Sequence, residues 1–231
     1  MRMSSQLRSL GGAAALALTG LAAGYVAIGS FGHGRAQAAS FDCAKAGNPS
    51  EVAVCGNPTL SALDAQLGAA YAQRAAAEPA LKQVERGWIL VRNVGCGKDV
   101  ACLTRLTRAQ LAWLKSGAAQ LPAALPRTPG LCSLSRIHQV GTRLGDGTQP
   151  VGNDYGSGSA VIEANKAMQV FYDQIPAIDH SRAGDPALVC LIDLPHDCPP
   201  GDDRGKVYGV ANLRSLGAWS GPDAEHLCGG A

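Results

Sequence analysis

The 231-residue chain is poor in aromatic residues (5%) and in charge, with Asp, Glu, Lys and Arg making up 16%. Together with an apolar fraction of 46%, this composition is typical of a globular protein of one or two modest domains and excludes disorder, collagen and coiled coil. Residues 1–38 carry three arginines and no acidic residue, which leaves 17 basic and 18 acidic side chains in the remainder. A body so close to neutrality cannot neutralise many phosphates, so nucleic-acid binding is not expected.

Catalytic motifs are also missing from the sequence. It has no G-x-S-x-G nucleophile elbow, no H-E-x-x-H metal motif and no phosphate-binding loop of the P-loop type. The sequence therefore predicts a protein that is not an enzyme and that holds no cofactor and no metal. Hydrolysis by two carboxylates stays open as an alternative, because sequence does not reveal which acidic residues meet in space.

The first 38 residues have the pattern of an export signal. Arg2 and Arg8 precede an uncharged stretch over residues 10–31, and residues 36–38 supply the small-x-small pattern that signal peptidase reads. The stretch is 22 residues long, against roughly 7–15 for a cleaved signal, so an uncleaved membrane anchor is the alternative. In both cases the body of the protein is expected outside the cytoplasm, periplasmic or secreted.

Cysteine is abundant beyond the export signal. An oxidising compartment converts an even cysteine count into disulfides, so four bridges are expected. Cysteine-bound zinc is the rival, prompted by the pairs His196 with Cys198 and His226 with Cys228, but the paired C-x-x-C spacing of zinc sites is absent. The eight predicted disulfide cysteines are Cys43, Cys55, Cys96, Cys102, Cys132, Cys190, Cys198 and Cys228.

A stretch rich in Pro and Gly over residues 116–131 divides the body into two segments, and we predict a linker there. Residues 41–121 have a net charge of +3, whereas residues 122–231 have a net charge of −4. Four cysteines fall on each side, so each segment is expected to close on itself. The prediction is an α+β fold, with a disulfide-tied helical hairpin or bundle over residues 41–115 followed by a small disulfide-tied antiparallel β domain over residues 132–231.

The helical prediction rests on apolar spacing and caps. Asn57 and Pro58 have the types favoured at an N-cap and first helical position, and Gly97 follows the second helix. A third helix is expected from about Asp99 to Lys115. The apolar stripes of the three helices, at spacings of mostly three and four, are Leu60, Leu63, Leu67 and Tyr71; Leu81, Val84, Trp88 and Val91; and Leu103, Leu106 and Trp113.

If the first two helices form an antiparallel hairpin, two opposite charges meet across it. Asp64 lies fourteen residues before the expected turn at Glu78, and Arg92 lies fourteen residues after it. A bidentate ion pair between them is predicted, with a role in the fold rather than in catalysis. Two unrelated solvated charges are the alternative.

The same hairpin suggests where the first four cysteines pair. It carries Cys96 and Cys102 back towards Cys43 and Cys55, so cross-links between the two ends are expected, each closing a loop of roughly 40–60 residues.

From residue 132 onward the helical period disappears and short β-type runs occur at 160–162, 168–172, 188–192 and 206–210. Asn165 and Lys166 are expected to turn one hairpin. Two bridges are predicted in this segment, Cys190 with Cys198 and Cys132 with Cys228. Asp202, Asp203 and Arg204, in a loop rich in Pro and Gly, are the candidate binding residues for a cation or a basic partner; a solvated turn is the alternative.

Five stretches of the first segment, FDCAKA, EVAVC, LSALDAQLGAAY, ERGWILVRN and CGKDVACL, resemble the N-terminal domain of the LprI-type lysozyme inhibitors, which are small exported bacterial proteins. The resemblance covers about residues 41–115 and rests on four cysteines together with Asp64, Tyr71, Trp88 and Arg92. This chain has Glu85 where the family often has Gln, and Thr107 and Gln110 where it often has Tyr and Arg. The C-terminal segment resembles a tail of unknown function that accompanies this domain in other exported bacterial proteins.

The resemblance implies an all-helical, disulfide-tied domain and, for characterised relatives, inhibition of host lysozyme. The expected partner is therefore a protein, lysozyme, whose active-site cleft would be blocked. A structural or adaptor protein of the cell envelope with no lysozyme contact is the alternative. A membrane is expected as a partner only if the N-terminal segment stays uncleaved.

Overall fold

The computed structural model of the protein describes residues 39–146, 148 and 155–230. The predicted export signal over residues 1–38 lies outside the described residues. The predicted fold class is confirmed, because helices are followed by an antiparallel sheet and four disulfides tie the chain. The described elements are α1 (Pro49–Gly56), α2 (Pro58–Ala75), α3 (Leu81–Cys96), α4 (Val100–Ser116), β1 (Cys132–Thr142), β2 (Ser159–Glu163), β3 (Met168–Val170), α5 (Pro176–Asp179), β4 (Pro186–Asp193), β5 (Val207–Asn212) and β6 (Ala218–Pro222).

Side-chain caps define where the helices begin. Asn57 caps α2 as predicted, since its Oδ1 accepts a hydrogen bond from the amide of Leu60 at 3.0 Å. Asn48 caps α1 in the same way, a helix that the sequence reasoning did not identify. Asp99 caps α4 through the amides of Ala101 and Cys102.

The six described strands form one antiparallel half-barrel in the order β3-β2-β1-β4-β5-β6. Lys166, with a positive φ of 71°, turns the β2–β3 hairpin at the predicted place. Gln169, which is fully buried, joins the two edge strands. Its Nε2 donates to the carbonyl oxygens of Tyr208 (2.9 Å) and Gly221 (2.7 Å), and its Oε1 accepts from Trp219 Nε1 at 2.8 Å.

The helices and the sheet share one apolar core. Strand β4 is buried on both faces, which explains its unbroken apolar run. Leu188 and Ile192 pack with the helices, whereas Val189 and Leu191 pack on the opposite face of the sheet. Helix α3 lies close to the sheet at Gly87, where an added Cβ would collide with Leu213.

The predicted linker has neither helix nor strand over residues 117–131, yet it is not detached from the fold. Leu121 is buried in the core shared by helices and sheet, and the amide of Gly130 donates to the carbonyl oxygen of Leu191 at 2.8 Å. The helical and β-rich segments thus differ in secondary structure but pack against each other.

All eight cysteines are paired, as predicted, and no bridge joins the two segments. The predicted pairings are wrong. The bridges in the structure are Cys43–Cys55, Cys96–Cys102, Cys132–Cys190 and Cys198–Cys228.

Local geometry explains the two bridges of the helical segment. Cys43 lies in a short 3-10 helix (Cys43–Lys45), and Cys55 lies in the neighbouring helix α1. Cys96 ends α3, and Cys102 follows six residues later in the first turn of α4. The loops that they close are therefore 12 and 6 residues long, not the 40–60 expected.

Strand register explains the bridges of the β-rich segment. Cys132 and Cys190 lie directly opposite each other on β1 and β4, with their Cα atoms 4.0 Å apart. This register leaves Cys198 and Cys228, which follow β4 and β6, to pair with each other.

Candidate binding surfaces

The residues that carry the family resemblance gather at one cleft. The cleft lies between α2 and α3, beside residues 40–41, and has a volume of about 290 Å³. We call it the α2–α3 cleft. Its lining includes all four of the predicted motif residues, Asp64, Tyr71, Trp88 and Arg92.

Asp64 and Arg92 form the predicted ion pair, but in a different form. Arg92 Nη1 donates to Asp64 Oδ1 at 3.0 Å, a single hydrogen bond rather than a bidentate pair. The other carboxylate oxygen, Oδ2, accepts from the amide (2.9 Å) and hydroxyl (2.6 Å) of Ser40. Both charged side chains are buried, so each depends on the other to offset its desolvation.

Arg92 and its neighbour Trp88 retain unused hydrogen-bond donors. The guanidinium lies 5.3 Å from the Trp88 ring centroid, a cation–π geometry between residues four apart on α3. Arg92 Nε and Trp88 Nε1 are buried and have no hydrogen-bond partner among the described residues. The polar atoms of these two side chains that lack a partner are thus both hydrogen-bond donors.

A second buried polar pair lies beside the first. Gln110 Nε2 of α4 donates to Glu85 Oε2 of α3 at 2.8 Å. Burial raises the pKa of Glu85, and the hydrogen bond from Gln110 and the charge of Arg92 offset part of that rise. Glu85 and Gln110 are two of the positions at which this chain departs from the family that it resembles, and the structure brings them into contact.

The rim of the cleft is cationic and partly apolar. Lys82 and Arg86 are exposed on α3, and neither makes an ion pair within the described part of the chain. Ile89, 37% exposed, completes this face. The sequence reasoning did not single out these residues, although their spacing of four and three along α3 was a usable signal.

A second surface lies at the end of the half-barrel. Residues 193–206 and 223–228, here called the acidic loops, hold six carboxylates and two cationic side chains, a net charge of −4 with histidine neutral. The Cys198–Cys228 bridge joins the two loops. Asp223 Oδ1 also accepts hydrogen bonds from the amides of Gly205 (2.8 Å) and Lys206 (3.0 Å), so the acidic loops are cross-linked at several points.

The predicted binding residues of these loops are paired within the chain. Asp202 accepts two hydrogen bonds from the Arg204 guanidinium, at 2.9 and 2.8 Å, and a third from the amide of Gly229. These bonds hold the pKa of Asp202 far below its usual range. Asp203 pairs with Lys206 at 2.6 Å, which lowers its pKa. Asp197, in contrast, is exposed and has no ion pair or side-chain hydrogen bond in the described structure.

The rival zinc site is not formed, because Cys198 and Cys228 are bonded to each other. Among the described residues, no group of three or more His, Cys, Asp and Glu side chains has a metal-binding arrangement. None of the described helices is long and apolar enough to span a membrane. Four disulfides indicate an oxidising compartment. Comparison with protein-family models, curated proteins and solved structures finds no match to this chain.

Proposed function

We propose that the protein is a periplasmic or secreted lysozyme-binding protein that blocks the active-site cleft of the enzyme. The observation that carries the proposal is the rigid, cross-linked acidic surface formed by the acidic loops. The resemblance of residues 41–115 to LprI-type inhibitors supports the same partner, since its motif residues gather at one place in the fold. A binding role, rather than an enzymatic one, is proposed throughout.

Charge complementarity gives the acidic loops their role in this proposal. Lysozymes of the common animal type are strongly basic, so they are attracted during diffusional encounter to the acidic loops, whose net charge of −4 is offset in part by Arg105 at Asp193 and Arg143 at Glu225. Such a field raises the association rate more than it tightens the final complex. Cross-linking of the loops by Cys198–Cys228 reduces the conformational entropy that binding would otherwise cost.

The cleft of lysozyme suggests how binding would inhibit it. The enzyme uses one carboxyl group that is held neutral and one that is ionised. A hydroxyl or cationic group that hydrogen-bonds to both occupies the site without being cleaved.

The acidic loops are tested by removing charge while keeping the hydrogen bonds of Asp202 and Asp223, at the cost of the Asp203–Lys206 ion pair. Asp197→Asn with Asp203→Asn leaves Asp202 and its bonds to Arg204 and Gly229 intact, and asparagine tolerates the positive φ of 58° at position 197. We expect this double variant to associate with lysozyme about threefold more slowly at low ionic strength, with the difference lost at high salt. The measurement is the association rate by stopped flow.

A matched control separates local from overall charge. Asp42→Asn with Asp99→Asn removes the same charge from the helical segment. Asparagine can still accept the hydrogen bonds that Asp42 takes from the amide of Ala44, at the start of the 3-10 helix Cys43–Lys45, and that Asp99 takes from the amide of Ala101. We expect the control to associate at nearly the rate of the unmodified protein. Equal slowing by the two double variants would contradict the role of the acidic loops.

Inhibition itself is tested by lysis of a Gram-positive cell suspension by lysozyme, with and without the oxidised protein. Protection is expected at about micromolar protein, an affinity common for non-obligate complexes. No protection, and no binding, would instead favour the envelope adaptor.

A further inference from the structure

The α2–α3 cleft, which shares no residue with the acidic loops, has the features of a small-ligand site. Both carboxylate oxygens of Asp64 already accept hydrogen bonds. Oδ1 accepts one from Arg92 Nη1, and Oδ2 accepts two from Ser40, one from its amide and one from its hydroxyl. The buried donors Arg92 Nε and Trp88 Nε1 have no partner in the described structure. A buried donor without a partner destabilises the protein. An acceptor that reached these two atoms from the cleft would supply the hydrogen bonds that they lack.

The charges at the cleft favour an anionic acceptor. Asp64 and Arg92 neutralise each other, which leaves Lys82 and Arg86 at the rim as cations without an ion pair in the described residues. Glu85 opposes an anion less than an exposed carboxylate would, because burial raises its pKa and favours its neutral form. Glu51 is the one other acidic side chain in the described lining, and it accepts a hydrogen bond from the amide of Gly47 at 2.7 Å.

The walls of the cleft indicate that the anion belongs to an organic molecule. Phe41, Leu67, Tyr71 and Ile89 line it with apolar and aromatic surface, which inorganic phosphate or sulfate would not use. A volume of about 290 Å³ accommodates a group of the size of a monosaccharide or a dipeptide.

We propose that the α2–α3 cleft binds the carboxylate of a small organic ligand, with Arg92 and Trp88 as donors and Lys82 and Arg86 as the attracting charges. The carboxylate has two sources in the compartment outside the cytoplasm: an acidic amino sugar or the C terminus of a short peptide. Arg92 Nε and Trp88 Nε1 each have one N–H group without a partner in the described structure, and a carboxylate has two oxygens that accept.

Isothermal titration calorimetry of the oxidised full-length protein tests the proposal with four probes. N-acetylmuramic acid is compared with N-acetylglucosamine, which lacks the lactyl carboxylate, and N-acetyl-alanyl-alanine is compared with its C-terminal amide. We expect one or both of the acids to bind and both neutral partners to bind at least tenfold more weakly, which corresponds to about 1.4 kcal/mol. Which acid binds identifies the source. Equal binding of acid and neutral partner, or no binding of any probe at about 10 mM, would overturn the proposal.

Rim variants locate the site without risk to the buried pair. Lys82→Gln with Arg86→Gln changes exposed residues only, and we expect it to weaken binding of the acid at least fivefold. Lys98→Gln with Lys115→Gln removes the same charge from exposed positions outside the cleft and should bind as the unmodified protein does. Trp88→Phe keeps an aromatic side chain but replaces the indole and so removes the Nε1 donor, and should also weaken binding while the circular dichroism spectrum is retained. If the rim variant (Lys82→Gln with Arg86→Gln) and the control variant (Lys98→Gln with Lys115→Gln) bind the acid with equal affinity, the ligand binds elsewhere and the assignment is refuted.

Discussion

The helical segment and the half-barrel each bury a carboxyl group, and they stabilise it by opposite means. Asp64, between the helices, is 2% exposed and is bonded to Arg92 and Ser40 through both oxygens. Glu163, at the end of β2, is 1% exposed, and neither of its carboxyl oxygens has a hydrogen-bond partner among the described residues. One group is stabilised by a counter-charge, whereas burial of the other raises its pKa to about 8 and favours its protonated form.

This difference predicts the perturbation to which each segment is most sensitive. An ion pair offsets the desolvation of its buried carboxylate but depends on the partner side chain. A protonated carboxyl avoids the larger cost of a buried charge, but whether it stays protonated depends on pH. The helical segment is therefore expected to be sensitive to mutation of its pair, and the half-barrel to alkaline conditions.

The largest expected effect comes from removing the counter-charge in the helical segment. Arg92→Met leaves Asp64 buried without its cation, and we expect the free energy of unfolding to fall by about 3–5 kcal/mol. Urea denaturation followed by circular dichroism measures the change. Combining Arg92→Met with Asp64→Asn removes both charges and should recover part of the loss. A loss of less than about 1 kcal/mol in the single variant would show that Asp64 does not rely on Arg92.

The next effect concerns the pH dependence of the half-barrel. The folded-state pKa of Glu163, about 8, lies above its ordinary value of 4.5, so the native state binds more protons than the unfolded state between these pH values. Its contribution to stability is complete below the lower value and is lost as the pH rises through the upper one. The free energy of unfolding should fall by roughly 1.4 kcal/mol per pH unit within this window.

Glu163→Gln removes the proton equilibrium and should remove this slope. Urea denaturation at about pH 5.5 and pH 7.5 should show a fall about 3 kcal/mol larger in the unmodified protein than in the variant. The comparison between the two pH values is decisive, because any packing cost of the amide is the same at both. Identical falls in the two proteins would mean that Glu163 finds a partner or solvent in solution.

The smallest effect is expected at Glu85, which combines the two means of stabilisation. Burial raises its pKa, but Gln110 donates a hydrogen bond to it and Arg92 lies nearby. Glu85→Gln should therefore flatten the pH dependence of unfolding in the same direction as Glu163→Gln but by less. A flattening larger than that of Glu163→Gln would show that the helical segment stabilises its carboxyls less well than the half-barrel does.

Much of the helical segment was predictable because its signals are local. Asn57 with Pro58 and Asp99 mark helix starts through bonds to the next few residues, and the apolar spacing identifies the buried faces. The ion pair between Asp64 and Arg92 was also predictable, since two helices of an antiparallel hairpin place residues equidistant from the turn side by side. Its single-bond geometry and the bonds from Ser40 were not, because they depend on the path of residues 39–41 over α2.

The half-barrel was harder to predict in detail. Its hairpin at Asn165 and Lys166 is a local signal, but β1 and β6 have weak patterns and were not identified. In β3 the alternation of apolar and polar residues predicts the wrong buried face. Gln169 is fully buried, whereas Met168 is 43% exposed. Gln169 is buried because it bonds to groups on β5 and β6, more than thirty residues away.

The sequence by itself determined the α+β order of elements, the helix starts and the pairing of all eight cysteines within their own segments, because each depends on composition, local spacing or an even count. Tertiary structure decided which cysteines bond and which charged side chains share a cleft. It also left the carboxyl oxygens of Glu163 buried without a hydrogen-bond partner in the part of the chain that the structure describes. The reason is physical: strand register and helix packing bring residues together through contacts between chain segments far apart, and no local pattern encodes those distances.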